Sequence, residues 1–186
     1  MQPTVSGFVL SGGNSSRFGS NKMFHRINGT CMGIVVFNNM KNAVDGDVCF
    51  LGPVIDHQDF SPFSQFSGKR EGQGPLGALC DALESAITDV VVFAPCDTPG
   101  FLHTHFQQLI AASTRFDVVV ASDDAPPHLR HLLLSCWNVE ATRQHMAKAF
   151  ASGERAIHRA ISGLNVGDQR YEDAVLMNIN TPADEQ

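Results

Sequence analysis

The run Val90-Val91-Val92-Phe93-Ala94 is apolar at every position and closes at Pro95. A strand with alternating polarity needs cover on one face only. One that is apolar throughout needs cover on both, which is the condition of a parallel sheet held between helices. The rest of the chain supplies the matching parts. Residues 5–10 read as a second buried strand, and 47–51, 117–121, 132–136 and 175–178 as further strands. Helical patterns lie between them at 33–42, 75–86, 102–112, 139–151 and 154–161, the second marked by Leu76, Leu79, Leu83 and Ile87 on one helical stripe. Pro182 fits the first turn of a terminal helix capped by Thr181. Residues 52–74, rich in Pro, Gly and Phe, predict a loop with short extended pieces. Alternation of this kind predicts an α/β fold with a mostly parallel sheet covered on both faces. Ligands of such sheets bind beyond the carboxyl ends of the strands, so the loops after Leu10 and Pro95 are the places to search.

Length and charge narrow the function. With 186 residues, one domain over 1–186 is the expectation on a scale of roughly 150 residues per domain. Thirteen basic against nineteen acidic residues leave a net charge of −6, which disfavours a duplex nucleic acid partner held by counterion release. No apolar stretch approaches the roughly 18 residues of a membrane span, and the first basic residue is Arg17, so no secretory leader is read and a cytoplasmic setting is expected. The five cysteines, Cys31, Cys49, Cys80, Cys96 and Cys136, contain no CxxC pair and read as small packed residues rather than disulfide or zinc ligands. The pairs His103/His105 and His128/His131 lack the company of a metal motif and read as solvated or hydrogen-bonding side chains. Phe60, Phe63 and Phe66 read as packing under a long loop.

The segment Leu10-Ser11-Gly12-Gly13-Asn14-Ser15-Ser16-Arg17-Phe18-Gly19-Ser20-Asn21-Lys22 carries the strongest chemical signal. Adjacent glycines directly after a buried strand let backbone amides approach phosphate oxygens, and Arg17 and Lys22 add a forked and a point-like cation. The spacing fits neither a Walker A loop nor GxGxxG. A plain surface turn would account for the glycines alone, but not for the two cations beside them. At the end of the central strand, Asp97 has two readings taken alone: a turn or helix cap, or a ligand for a divalent cation. A phosphate loop on the same sheet edge favours the cation, and Mg²⁺ is the ion expected. Cys96 lacks an activating partner in the sequence and reads as structural.

These pieces in this order resemble the MobA-type nucleotidyltransferases, the molybdenum cofactor guanylyltransferases. The likeness rests on Leu10-Ser11-Gly12-Gly13, Arg17-Phe18-Gly19, Lys22, Gly74-Pro75-Leu76-Gly77, Pro95-Cys96-Asp97-Thr98-Pro99, Gly153-Glu154-Arg155 and Asn178-Ile179-Asn180-Thr181-Pro182. It implies a Rossmann-like three-layer sandwich of the nucleotide-diphospho-sugar transferase type. It also implies transfer of GMP from GTP to the terminal phosphate of molybdenum-molybdopterin with release of pyrophosphate. On that resemblance Leu10, Ser11, Gly12 and Gly13 meet the nucleotide through the backbone. Lys22 and Arg17 meet the triphosphate, Asp97 holds Mg²⁺, and Gly74, Pro75 and Leu76 complete the nucleotide site. Asn178 and Asn180 line the acceptor side, and molybdoenzyme-maturation proteins are the implied protein partners. Three positions depart from the family pattern: Ser67 stands where an aspartate reads guanine, Leu51-Gly52-Pro53 lacks an asparagine, and His131-Leu132 replaces a His-Pro pair. Two other functions share these features: transfer from CTP or to another phosphorylated acceptor, and nucleotide binding without catalysis.

Overall fold

In the computed structural model, which describes residues 2–12 and 22–179, seven strands form one sheet. In chain order the strands are β1 (Val5–Leu10), a two-stranded hairpin of β2 (Arg26–Ile27) and β3 (Thr30–Cys31), β4 (Val48–Leu51), β5 (Gln65–Phe66), β6 (Val90–Pro95), β7 (Val118–Asp123), β8 (Arg130–Asn138) and β9 (Val166–Tyr171). The helices are α1 (Met32–Lys41), α2 (Gly74–Ser85), α3 (His103–Ala112), α4 (Val139–Ala151) and the single turns α5 (Ile157–Ala160) and α6 (Asp173–Leu176). The sheet order is β5-β4-β1-β6-β8-β7-β9, and β8 runs antiparallel to both its neighbours while the other pairs are parallel.

The all-apolar run of β6 behaves as its composition requires. Val90, Val92 and Ala94 join a core with residues of α1 and α3, while Val91 and Phe93 join a second core with residues of α2 and α4. The sheet is thus the middle of three layers, and each fully buried side chain of this kind contributes about 1.5–3 kcal/mol by leaving water. Helix α4 begins where Asn138 Oδ1 accepts the amide of Ala141 at 3.0 Å, with Glu140 in the first turn favouring the same polarity. Ile87, expected on the apolar stripe of α2, is instead fully exposed, because the chain turns extended at Ala86.

Two strand assignments change. Residues 175–178, expected as a strand, belong partly to the turn α6, where the Val175 amide donates to the Glu172 carbonyl at 2.9 Å. The closing strand is β9, whose Asp168 and Arg170 hide its β character at the sheet edge and whose Gly167 lies where a Cβ would sit 2.5 Å from the Phe116 ring. The hairpin β2–β3 was carried by Asn28-Gly29, both at positive φ, a turn signal that the strand pattern alone does not include. Residues 154–161, expected helical, form only α5, since Glu154 closes a tight turn ahead of it. The terminal helix expected at Pro182 lies outside the described residues.

Candidate active site

Strand β1 pairs with β4 on one side and β6 on the other, and the chain runs from β1 out to β4 and β5 before it crosses back to β6. The carboxyl ends of these three strands, at Leu10, Leu51 and Pro95, lie in register across the sheet. That is the switch point at which an open α/β sheet forms its crevice. Directly beyond β1, the Ser11 amide donates to the Leu51 carbonyl at 2.9 Å and the buried Ser11 hydroxyl donates to the same oxygen at 3.1 Å. The chain beyond β4 bends close to this point. Gly52 has φ +144°, and a Cβ there would stand 2.7 Å from Ser11 Oγ and 3.0 Å from the Gly12 nitrogen. Only glycine fits so near the backbone that enters the loop.

Beyond β6, Lys22 Nζ donates to Asp97 Oδ2 at 3.4 Å, joining residues that the sequence separates by 75 positions. The side chains are 19% and 17% exposed, so the pair is sheltered yet open to a ligand. Asp97 Oδ1 is buried with no hydrogen-bond partner among the described residues. An acceptor oxygen left in that condition is costly unless something fills it, and a divalent cation is a fitting occupant. Among the described residues no group of three or more His, Cys, Asp or Glu side chains gathers to cage a metal. A cation at Asp97 would therefore complete its shell from phosphate and water, as Mg²⁺ commonly does. The amide of Ile179 donates to the Asp97 carbonyl at 3.0 Å, which brings the exposed Asn178 to the same rim.

A cavity of about 470 Å³ opens beside Leu10 and Gly12, between the end of β4 and the start of α2 at Gly74 and Pro75. Leu76 is fully buried beneath it in the α2 core. The turn at 68–72 forms its outer wall and is fixed by Arg70. The Arg70 amide donates to Asp81 Oδ2 at 2.8 Å, its guanidinium donates to Asp81 Oδ1 at 2.6 Å and to Glu84, and the same guanidinium lies over the Phe150 ring. The hydrogen bond from Arg70 holds the Glu84 carboxyl below the usual carboxylate range. Ser67, exposed on the loop before this turn, donates its hydroxyl to Glu71 Oε2. Sequence reasoning found neither Arg70 nor Glu71; the only signal was a charged Lys69-Arg70-Glu71 set among glycines ahead of Gly74-Pro75.

Most of the remaining candidates have structural partners, and His103 is exposed on α3. Burial, and then the neighbouring Asp97 charge, pushes the Cys96 thiol up to about 12, which suits a packed cysteine. All five cysteines are free thiols. His105 Nδ1 accepts the Leu102 amide at 3.0 Å, and His131 Nε2 lies 2.7 Å from Asp123 Oδ1. Phe60 and Phe63 pack with Phe37 and Phe50, and Phe66 meets Phe8 edge-on, as expected of a packed loop. Of the expected site residues, Leu10, Ser11, Gly12, Lys22, Asp97, Gly74, Pro75, Ser67 and Asn178 lie at this one edge, while Gly13, Arg17 and Asn180 lie outside the described residues.

The sequence model of a family described as a MobA-like NTP transferase domain matches residues 7–168. The chain belongs to this family. A molybdenum cofactor guanylyltransferase of Yersinia pestis is 28% identical to this MobA-like chain, covering 99% of it and 94% of the relative. Among solved structures, the molybdopterin-guanine dinucleotide biosynthesis protein A of Archaeoglobus fulgidus superposes with a TM-score of 0.74 at 19% identity, covering 97% of this chain and 94% of that one. The 2-C-methyl-D-erythritol 4-phosphate cytidylyltransferase of Thermus thermophilus also reaches 0.74, at 15% identity over 96% of this chain and 94% of that one. The MobA-like chain thus has the nucleotide-diphospho-sugar transferase fold, and backbone similarity does not distinguish a guanylyl from a cytidylyl relative.

Proposed function

We propose that residues 1–186 form one Mg²⁺-dependent nucleotidyltransferase domain that moves GMP from GTP to the terminal phosphate of molybdenum-molybdopterin and releases pyrophosphate. An acceptor phosphate oxygen attacks the α-phosphorus, the bond from that phosphorus to the α–β bridging oxygen breaks, and the bridging oxygen leaves with pyrophosphate. The protein's task in such a step is positioning and charge neutralisation rather than covalent chemistry. Backbone groups of Leu10, Ser11, Gly12 and Gly13 approach the nucleotide, and Lys22 with Arg17 offsets charge on the departing pyrophosphate. Gly74 and Pro75 close the nucleotide side, with Leu76 packed in the core behind them and Ser67 at the base end. Asn178 and Asn180 face the acceptor, and a molybdoenzyme-maturation protein receives the product. Asp97 would hold Mg²⁺, which when bound supplies neutralising charge to the phosphates.

The observation that carries this reading is the Lys22–Asp97 pair, 3.4 Å apart, on the same sheet edge as the backbone of Ser11 and Gly12. Its test is pyrophosphate release from GTP with Mg²⁺ and acceptor. Lys22→Ala and Asp97→Asn are each expected to lower turnover by about a hundredfold, the order of effect for one lost electrostatic contact to a transition state. Near-normal release by either variant sinks the assignment. A cytidylyl transfer is the second reading, supported by the equal TM-score of a cytidylyltransferase structure and by Ser67 at the position where the guanylyltransferase pattern has an acid.

A further inference from the structure

We infer that Glu71, held by Ser67, is the residue that selects the base, and that it selects guanine. The inference rests on the nucleotidyl-transfer reading and concerns one end of that site. Three charged side chains border the cavity beside Leu10 and Gly12: Arg70, Asp81 and Glu71. Arg70 and Asp81 satisfy each other through two hydrogen bonds, and Glu84 takes a further guanidinium donor. Their hydrogen-bonding capacity is turned into the wall of the cavity. Glu71 differs. Its Oε2 accepts the Ser67 hydroxyl, and among the described residues no cation pairs with it. One hydrogen bond orients the carboxylate and leaves it free acceptor sites, Oε1 among them. The walls around it include Leu10, Pro53, Pro75 and Ala78, which suit the faces of a flat ring.

A carboxylate with free acceptor capacity takes a ligand edge that offers two donors side by side. Guanine presents N1–H beside its 2-amino group and meets that demand. Adenine presents the N1 lone pair beside its amino group, and cytosine presents the N3 lone pair beside its own. Either would set a lone pair against the Glu71 oxygens. Such a mismatch leaves polar groups unpaired, and the loss of a bidentate pair sets the scale of discrimination. The donor edge of guanine also occurs on a pterin ring. The position of the cavity, directly at the end of β1 where the phosphate-facing backbone begins, favours the nucleotide.

The experiment is calorimetric titration of the full chain with GTP, ITP, ATP and CTP in the presence of Mg²⁺, repeated with Glu71→Gln and Glu71→Ala. The wild type is expected to prefer GTP over ATP and CTP by about ten- to hundredfold, with ITP, which lacks the 2-amino group, in between. Both variants are expected to bind GTP no better than ATP or CTP. Since Glu71 is exposed on a turn, a thermal melt is expected to show both variants folded. A preference for GTP that survives in both variants overturns the inference, as does a wild type that prefers CTP; either result leaves nucleotidyl transfer standing. Failure to bind any of the four triphosphates overturns the enzyme reading itself, and this inference with it. Addition of free pterin is expected to leave GTP binding unchanged, and displacement of GTP by pterin in the wild type but not in Glu71→Ala would reassign Glu71 to the acceptor.

Discussion

At the scale of single residues, the entrance to the site depends on what is missing from Gly52 as much as on what Ser11 contributes. A methyl group at Gly52 meets Ser11 Oγ and the Gly12 nitrogen at once, on a backbone at φ +144° that other residues rarely adopt. Gly52→Ala is expected to destabilise the protein by about 1–3 kcal/mol, the cost of strain at such a position, and to weaken triphosphate binding because the collision falls on the loop entrance. A melting curve and a nucleotide titration check the two effects separately. The sequence shows Gly52 only as a departure from a family pattern, since a close approach between segments forty residues apart leaves no local trace. Asp97 and Lys22 were legible because their neighbours are distinctive: a buried strand ends before one and a glycine-rich run precedes the other. Glu71 was not, because a lone acid in a loop of mixed composition looks like any solvated side chain until its contact with Ser67 is seen.

Among the elements, the turn into α5 is held by one carboxylate. Glu154 accepts two hydrogen bonds from Arg159 at 2.7 Å and the amides of Arg155 and Ala156 at 2.7 and 2.8 Å. The Arg159 bond first, and then these amides, lower the Glu154 carboxyl to about 2. A carboxylate whose folded pKa lies below its unfolded value contributes its stabilisation above the unfolded value, here 4.5, and loses it as pH falls through the folded one. Amide exchange at Arg155 and Ala156 is therefore expected to accelerate as pH falls from about 4.5 toward about 2, relative to the intrinsic rate, and to be fast throughout in Glu154→Ala. Element boundaries were readable in β1 and β6, where a buried run ends at a loop signal, and in α4, which Asn138 caps. They failed where an element earns its place by contact rather than pattern: β9 carries Asp168 and Arg170, and Arg130 meets Asp168 through two bonds at 2.7 and 2.8 Å across that edge. The reversed direction of β8 was available from length alone, because residues 124–129 are too few for the dozen or more of a parallel crossover.

For the whole molecule, stability and chemistry occupy different places. The two cores meet across the sheet at β6, where Phe93 is fully buried against α2 and α4 residues, while the candidate site lies along one rim. Phe93→Ala removes a large side chain from a packed interior and is expected to cost about 3–5 kcal/mol, lowering the melting temperature by roughly 10 °C in a chain of this size. Calorimetry checks the value, and a melting temperature unchanged within about 2 °C would contradict the packing described for β6. The two covered faces of the sheet could be read from one uninterrupted apolar run; of the rim, the loops after Leu10 and Pro95 could be read, but not the approach of Gly52 or the turn at 68–72, which only contacts between distant segments bring there. Within that rim, the hold of Asp81 on both the amide and the guanidinium of Arg70 has a wider effect. Residue 70 fastens the turn to the scaffold, while residue 71 is bonded to Ser67 within the same loop and leaves the anchorage to its neighbour. Evolution, or a saturation library confined to that single codon, can then exchange one nucleobase taste for another while the frame beneath stands unaltered.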